Sequence, residues 1–177
     1  GILSALGLAF VPIVKADLVQ IAEPFNQCDY IYGVHDGGLN NSQLLRYSQE
    51  NGVEALGPSL EGYDIEALDI SKDGTLYGAS GDDTDQPGFL YTFDMDNGAE
   101  LTSNKVEGCN ELDGISFNPK DSSLWGWDQE QGLVKIIDGV CSTEIANPQG
   151  LEVEDLTWNN TNNILYFAYN DHNGADP

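Results

Sequence analysis

Ile65 to Gly98, IEALDISKDGTLYGASGDDTDQPGFLYTFDMDNG, decides the fold, because versions of this stretch recur before and after it. Glu66-Ala67-Leu68-Asp69-Ile70 alternates apolar and polar residues with period two and reads as a strand. Ser71-Lys72-Asp73-Gly74 is a turn, and Thr75-Leu76-Tyr77-Gly78-Ala79 a second strand. After a polar, Gly-rich loop, Phe89-Leu90-Tyr91-Thr92-Phe93 makes a third strand. Asp94-Met95-Asp96-Asn97-Gly98 supplies Gly or Asn where a hairpin requires positive φ. A fourth strand from Ala99 to Val106 completes an antiparallel sheet.

The copies keep their order. Leu68-Asp69-Ile70 corresponds to Ile115-Ser116-Phe117 and to Leu156-Thr157-Trp158. Leu76-Tyr77-Gly78 corresponds to Ile31-Tyr32-Gly33, Leu124-Trp125-Gly126 and Leu165-Tyr166-Phe167. The aromatic position steps through Tyr32, Tyr77, Trp125 and Tyr166, at intervals of 45, 48 and 41 residues. The third strand repeats as Leu45-Arg46-Tyr47 and, in a later copy, as Val134-Lys135-Ile136-Ile137 closed by a tight Asp138-Gly139. A period of this length with four strands per repeat is the sequence form of a propeller blade. The expected fold is therefore an all-β propeller of four-stranded antiparallel blades, with about three and a half blades present. The competing architecture is a β-sandwich whose strands resemble one another only as strands do.

Gly1 to Ala16 (GILSALGLAFVPIVKA) is an apolar run with a small-residue ending, which reads as the remnant of an export signal cut before Asp17. A buried first strand is the alternative. Residues 17–177 then form a partial propeller domain, with blades at 17–60, 61–106, 107–150 and an incomplete one at 151–177. Open blade edges would favour self-association. Export places the protein in the periplasm, at the cell surface or outside the cell, without membrane insertion once the signal is gone. In such an oxidising compartment Cys109 and Cys141, both near blade junctions, are expected to pair, leaving Cys28 for another partner.

Charge narrows the partners. Thirty acidic residues stand against six basic ones, for a net charge of −24. Phosphate binding needs clustered Lys and Arg, so nucleic acid is excluded as a partner. A protein or carbohydrate ligand remains. Solubility in a saline environment accounts for the total charge, but the acids are not evenly spread. With the strand faces of known propellers carried over, the loops entering each first strand and linking second to third strand share one face. That face collects Glu61, Asp64 and Glu66; Glu107, Glu111 and Asp113; Glu152, Glu154 and Asp155; and, in the linking loops, Asp82, Asp83, Asp85, Asp128, Glu130 and Asp171. The opposite turns, with Lys72 beside Asp73 and Lys120 beside Asp121, are nearly neutral.

Glu66, Asp113 and Glu154 each stand two residues before the first core apolar residue of their blade, so they occupy equivalent places at the mouth of the central channel. Carboxylates converging on an axis raise one another's pKa unless a cation neutralises them. Oxygen-only ligands without His or Cys suit a hard ion, and Ca²⁺ is the expectation. The candidate metal ligands are Glu66, Asp113 and Glu154, with Asp82, Asp83, Asp128 and Asp171 beside them. The competing reading has these acids capping backbone amides of the inter-blade loops or facing water. Gly81 to Asp85 and Asn170 to Asp176 have the oxygen density of calcium loops but not EF-hand spacing.

Catalytic motifs are missing: no Gly-x-Ser-x-Gly elbow, Walker loop or His-Glu-x-x-His occurs, and no catalytic residue is assigned. His35 and His172 each follow a second strand and read as solvated loop residues. Trp125 and Trp158 hold repeat positions that point to core packing. Asn40-Asn41-Ser42 and Asn159-Asn160-Thr161 satisfy the N-glycosylation pattern.

From Cys28 to Tyr169 the repeat resembles the blades of secreted bacterial propellers in the broad YVTN/NHL-like and quinoprotein-like group, where Leu-Tyr-Gly second strands and Asp-x-x-Asn/Thr-Gly hairpins recur. Ile65-Glu66-Ala67-Leu68 and Val153-Glu154-Asp155-Leu156 are also similar to strand starts of phytase-like esterase propellers, where acids hold calcium. The basic residues that such an enzyme uses for phosphate are lacking here. The fold resemblance alone carries no activity, and the expected function, from charge, loops and missing catalytic motifs together, is an exported, non-enzymatic binding or surface-interaction module with Ca²⁺ on its acidic face. Second comes a Ca²⁺-dependent hydrolase of phosphoesterase or lactonase type.

Overall fold

A computed structural model describes residues 30–38, 40–161 and 163–170. The export-signal segment, Cys28, Asp171 and His172 lie outside these residues. The described chain is all β, thirteen strands in four antiparallel sheets taken in chain order. The first sheet contains β1 (Ile31–Asp36), β2 (Ser42–Ser48) and β3 (Gly52–Ala55). The second runs β4 (Ile65–Ile70), β5 (Leu76–Ser80), β6 (Phe89–Phe93) and β7 (Glu100–Lys105), and the third β8 (Gly114–Phe117), β9 (Leu124–Asp128), β10 (Gly132–Ile137) and β11 (Val140–Ala146). β12 (Glu152–Trp158) and β13 (Leu165–Asn170) form the fourth among the described residues. Within each sheet every strand pairs with its chain neighbour, as expected of propeller blades.

Local chemistry sets the turns. Asp138 and Gly139, with φ of 52° and 77°, make the two-residue turn joining β10 to β11, where Ile137 faces Val140. Two positive φ values in succession are the signature of a turn whose twist matches the strands. Between β6 and β7, the Asp94 carboxylate accepts the amides of Asp96 and Asn97, and Gly98 N–H donates to the Asp94 carbonyl. His35 lies within β1, opposite Gln43, and is exposed there rather than in the loop that follows.

Three apolar clusters fill the three junctions between consecutive sheets. Leu44, Leu56, Ile65, Leu76, Tyr91 and Phe93 join the first to the second. Ala79, Val106, Cys109, Leu112, Ile115 and Val134 join the second to the third, and Trp127, Val153 and Leu156 the third to the fourth. A sandwich has one core between two sheets; a series of sheets with a core at every junction is a blade arrangement.

The first strands of neighbouring sheets stand side by side without forming a ladder. A Cβ on Gly114 of β8 would lie 2.9 Å from the Leu156 nitrogen of β12, so the two backbones nearly touch. The same staple recurs at two junctions. Asp69 of β4 accepts the Phe117 amide at 2.6 Å, and the equivalent Ser116 of β8 accepts the Trp158 amide at 3.2 Å. An aromatic pair accompanies each: Tyr77 against Phe117 with centroids 5.0 Å apart, and Trp125 against Trp158 at 5.6 Å. The sequence repeat is thus a repeat of contacts, and Trp125 and Trp158 serve packing.

Candidate metal centre

Glu66 and Glu154 are the extra residues of β-bulges. The pairing of β4 with β5 passes from Ile65–Ser80 to Ala67–Ala79, and that of β12 with β13 from Val153–Tyr169 to Asp155–Ala168. A bulge re-aims the side chain of its extra residue. Asp113 holds the matching place just before β8, where its amide donates to the Trp127 carbonyl at 3.2 Å.

Ligand-capable oxygens of Glu66, Asp113 and Glu111 lie within 4.8 Å of one another. Two equivalent positions of the repeat are therefore brought together, and Glu111, from the loop between the second and third sheets, joins them. Glu154 is exposed and outside this trio, but its charge acts on Glu66.

Asp113 is 7% exposed, no N–H donates to either carboxylate oxygen in good hydrogen-bond geometry, and the groups bearing on it are the Glu66 carboxyl and, more weakly, the Gln129 side chain. Burying such a group unpaired is costly. Burial first, then Glu66 and Glu111, push its pKa up to about 10. Burial, followed by the charges of Asp82 and Glu66, pushes Glu111 up to about 7. Glu66 is also raised, by burial and then by the surrounding acids Asp64, Asp82 and Glu154. All three carboxyls are thus pushed toward their protonated forms, Asp113 furthest.

Gly81 makes room for this. A Cβ there would sit 2.4 Å from the Glu66 Cδ and from one of its oxygens. Ser80 shapes the loop that begins at Gly81, its hydroxyl donating to the Gln86 carbonyl at 2.7 Å and accepting the Phe89 amide at 2.8 Å.

The other candidate ligands have different surroundings. Asp128 is buried at the end of β9, but its oxygens are taken: Oδ1 accepts the amides of Glu130 and Gln131 at 3.0 and 2.8 Å, and Oδ2 the Asn110 amide at 3.0 Å. It caps loops. Asp83 donates its amide to the Asp64 carboxylate at 2.9 Å, and Asp82 contributes charge to the trio without belonging to it. Glu111 was legible only as one loop acid among several; its spacing of two from Asp113 was the available signal.

The loop carrying Glu111 and Asp113 is anchored at almost every residue. Cys109 and Cys141 form a disulfide with Cα atoms 5.8 Å apart. Lys105 donates to the carbonyls of Pro87 and Cys109, tying this loop to the one that starts at Gly81. Leu112 N–H reaches the Ser80 carbonyl at 3.2 Å.

No protein-family model matches this sequence, and no curated protein matches it. Solved structures do. An auxiliary nutrient binding protein from Bacteroides ovatus superposes with a TM-score of 0.54 at 13% identity, over 83% of this chain and 38% of that one. A catalytically inactive virginiamycin B lyase from Staphylococcus aureus, solved with quinupristin, gives 0.51 at 12% identity, over 80% and 50%. Both are propeller-like folds, and at such identities the likeness concerns the fold. The chain spans half or less of the length of these two proteins.

Proposed function

We propose that this chain is part of an exported propeller-like binding module that holds Ca²⁺ at the acidic mouth of its innermost strands and presents that mouth to a protein or carbohydrate ligand. The observation that carries this reading is Asp113, a buried carboxylate with no donor, facing two further carboxylates. An all-oxygen set suits a hard cation, and calcium, with bonds of about 2.3–2.6 Å, accommodates oxygens separated by up to the observed limit. Three carboxylates fill only part of a shell of about six to eight ligands, leaving room for water or for oxygens of a bound molecule. The disulfide favours an oxidising, hence exported, setting. Among the described residues no helix is long and apolar enough to cross a membrane.

Calorimetric titration with CaCl₂ is expected to show binding. Millimolar Ca²⁺ should raise Tm, EGTA should reverse the rise, and Asp113→Asn should abolish it. No heat and no Tm shift would dismiss the ion. A second reading, the calcium-dependent hydrolase, is favoured by Glu66, whose side chain reaches solvent although its carboxylate is partly desolvated among the other acids, so that an ion there would stay open to substrate. Turnover of a phosphoester or lactone that is lost in Glu66→Gln with the fold retained would select it; loss of ion binding without any turnover would select the module.

A further inference from the structure

Cys109 of the disulfide and two of the three carboxylates share one short piece of chain. Between Glu107 and Asp113 the backbone passes from the outer strand of the second sheet, alongside the start of β11, to the innermost strand of the third. At the outer end, Glu107 N–H donates to the Gly139 carbonyl and Cys141 N–H to the Glu107 carbonyl, both at 2.8 Å. This makes a parallel bridge between Glu107 and Val140, at the start of β11. Cys109 follows, fully buried and bonded to Cys141. Glu111 is two residues further on and Asp113 four, and along this stretch the amides of Asn110, Leu112 and Asp113 are anchored. The disulfide is the one covalent fixture of the loop. The trio's opposite member, Glu66, belongs to the second sheet, whose loop is tied to Cys109 through Lys105. Displacing Cys109 therefore moves two ligands relative to the third.

We infer that the Cys109–Cys141 disulfide is a positioning element of the metal centre, so that cation binding and the disulfide stabilise each other. This rests on the calcium reading above. Coupling between two sites is reciprocal: if the disulfide tightens calcium binding by a given factor, saturating calcium shifts the dithiol–disulfide equilibrium by the same factor. In the reduction, dithiothreitol supplies two electrons and two protons and cyclises to its own disulfide, while the Sγ–Sγ bond breaks to give two thiols.

Two measurements test the inference. The first compares the calcium Kd of the oxidised protein with that of the Cys109→Ser/Cys141→Ser double variant, whose fold is checked by its near-ultraviolet spectrum. At least ten-fold weaker binding is expected. The second equilibrates the unmodified protein in dithiothreitol buffers with calcium or with EGTA and quantifies free thiols. Calcium should shift the equilibrium toward the disulfide by the same factor, and Asp113→Asn should remove the shift; this measurement decides if the double variant does not fold. Absence of calcium binding to the oxidised protein overturns the metal reading itself. Binding that is equally tight without the disulfide, or a thiol equilibrium indifferent to calcium, overturns the coupling alone.

Discussion

Asp113 and Asp128 are both buried acids at the junction of the second and third sheets, and their oxygens meet opposite surroundings. Asp128 accepts three backbone amides, so Asp128→Ala strands those donors and should cost about 2–3 kcal/mol in chemical denaturation. Asp113 accepts none. An acid whose pKa rises on folding keeps its proton in the native state after the unfolded chain has lost it. Its contribution to stability is therefore full below the unfolded value of 3.8 and falls as pH climbs toward about 10. Glu111 acts in the same direction between 4.5 and about 7. In EGTA the urea midpoint should drop between about pH 5 and about pH 8. Saturating calcium should flatten that drop, and Asp113→Asn should shrink it; an unchanged slope in the variant would assign it to general repulsion among the acids. Gly81→Ala, which pushes a methyl into the Glu66 carboxylate, should weaken calcium binding with little loss of stability, as read by calorimetry and Tm together. The equivalence of Glu66 and Asp113 was legible from the repeat alone. That Asp128 is a cap was not, because an acid after a strand looks the same whether amides or solvent surround it.

Among the elements, hairpins and strands from β4 to β11 follow from alternation and from Gly, Asn and Asp at the turns. The Asp138-Gly139 pair was read as a tight closure and forms one, with both residues at positive φ. Gly139→Ala should cost about 1 kcal/mol or more through that φ, measurable as a lowered denaturation midpoint. The bulges in β4 and β12 escaped the reading, because Glu66-Ala67-Leu68-Asp69-Ile70 was taken as plain alternation; its break at the consecutive apolar pair Ala67-Leu68 was the available sign of an extra residue. It is the bulge, not the alternation, that decides where Glu66 points. The pairing of Cys109 with Cys141 was expected from their places near junctions and is present. It spans 32 residues, so removing it should cost on the order of 4 kcal/mol by chain entropy, a loss visible as a lower Tm of the double serine variant.

At the scale of the whole molecule, a net charge of −24 sets a background of self-repulsion on which any specific site acts. Raising NaCl from low to moderate concentration should increase Tm by screening, in the wild type and in Asp113→Asn alike. Calcium at concentrations too small to screen should act on the wild type alone. Equal responses of both proteins to both salts would reduce the acidity to salt adaptation. The all-β, blade-like architecture was legible because duplication repeats its anchor residues in order; the sites were harder to read because duplication repeats acids with and without partners alike.

The near-contact of main chains at Gly114 has a mechanical consequence. Where backbones rather than flexible side chains set it, the spacing between β8 and β12 has no slack. A single methyl at Gly114 would meet the Asp155–Leu156 backbone and prise the fourth sheet outward like a shim.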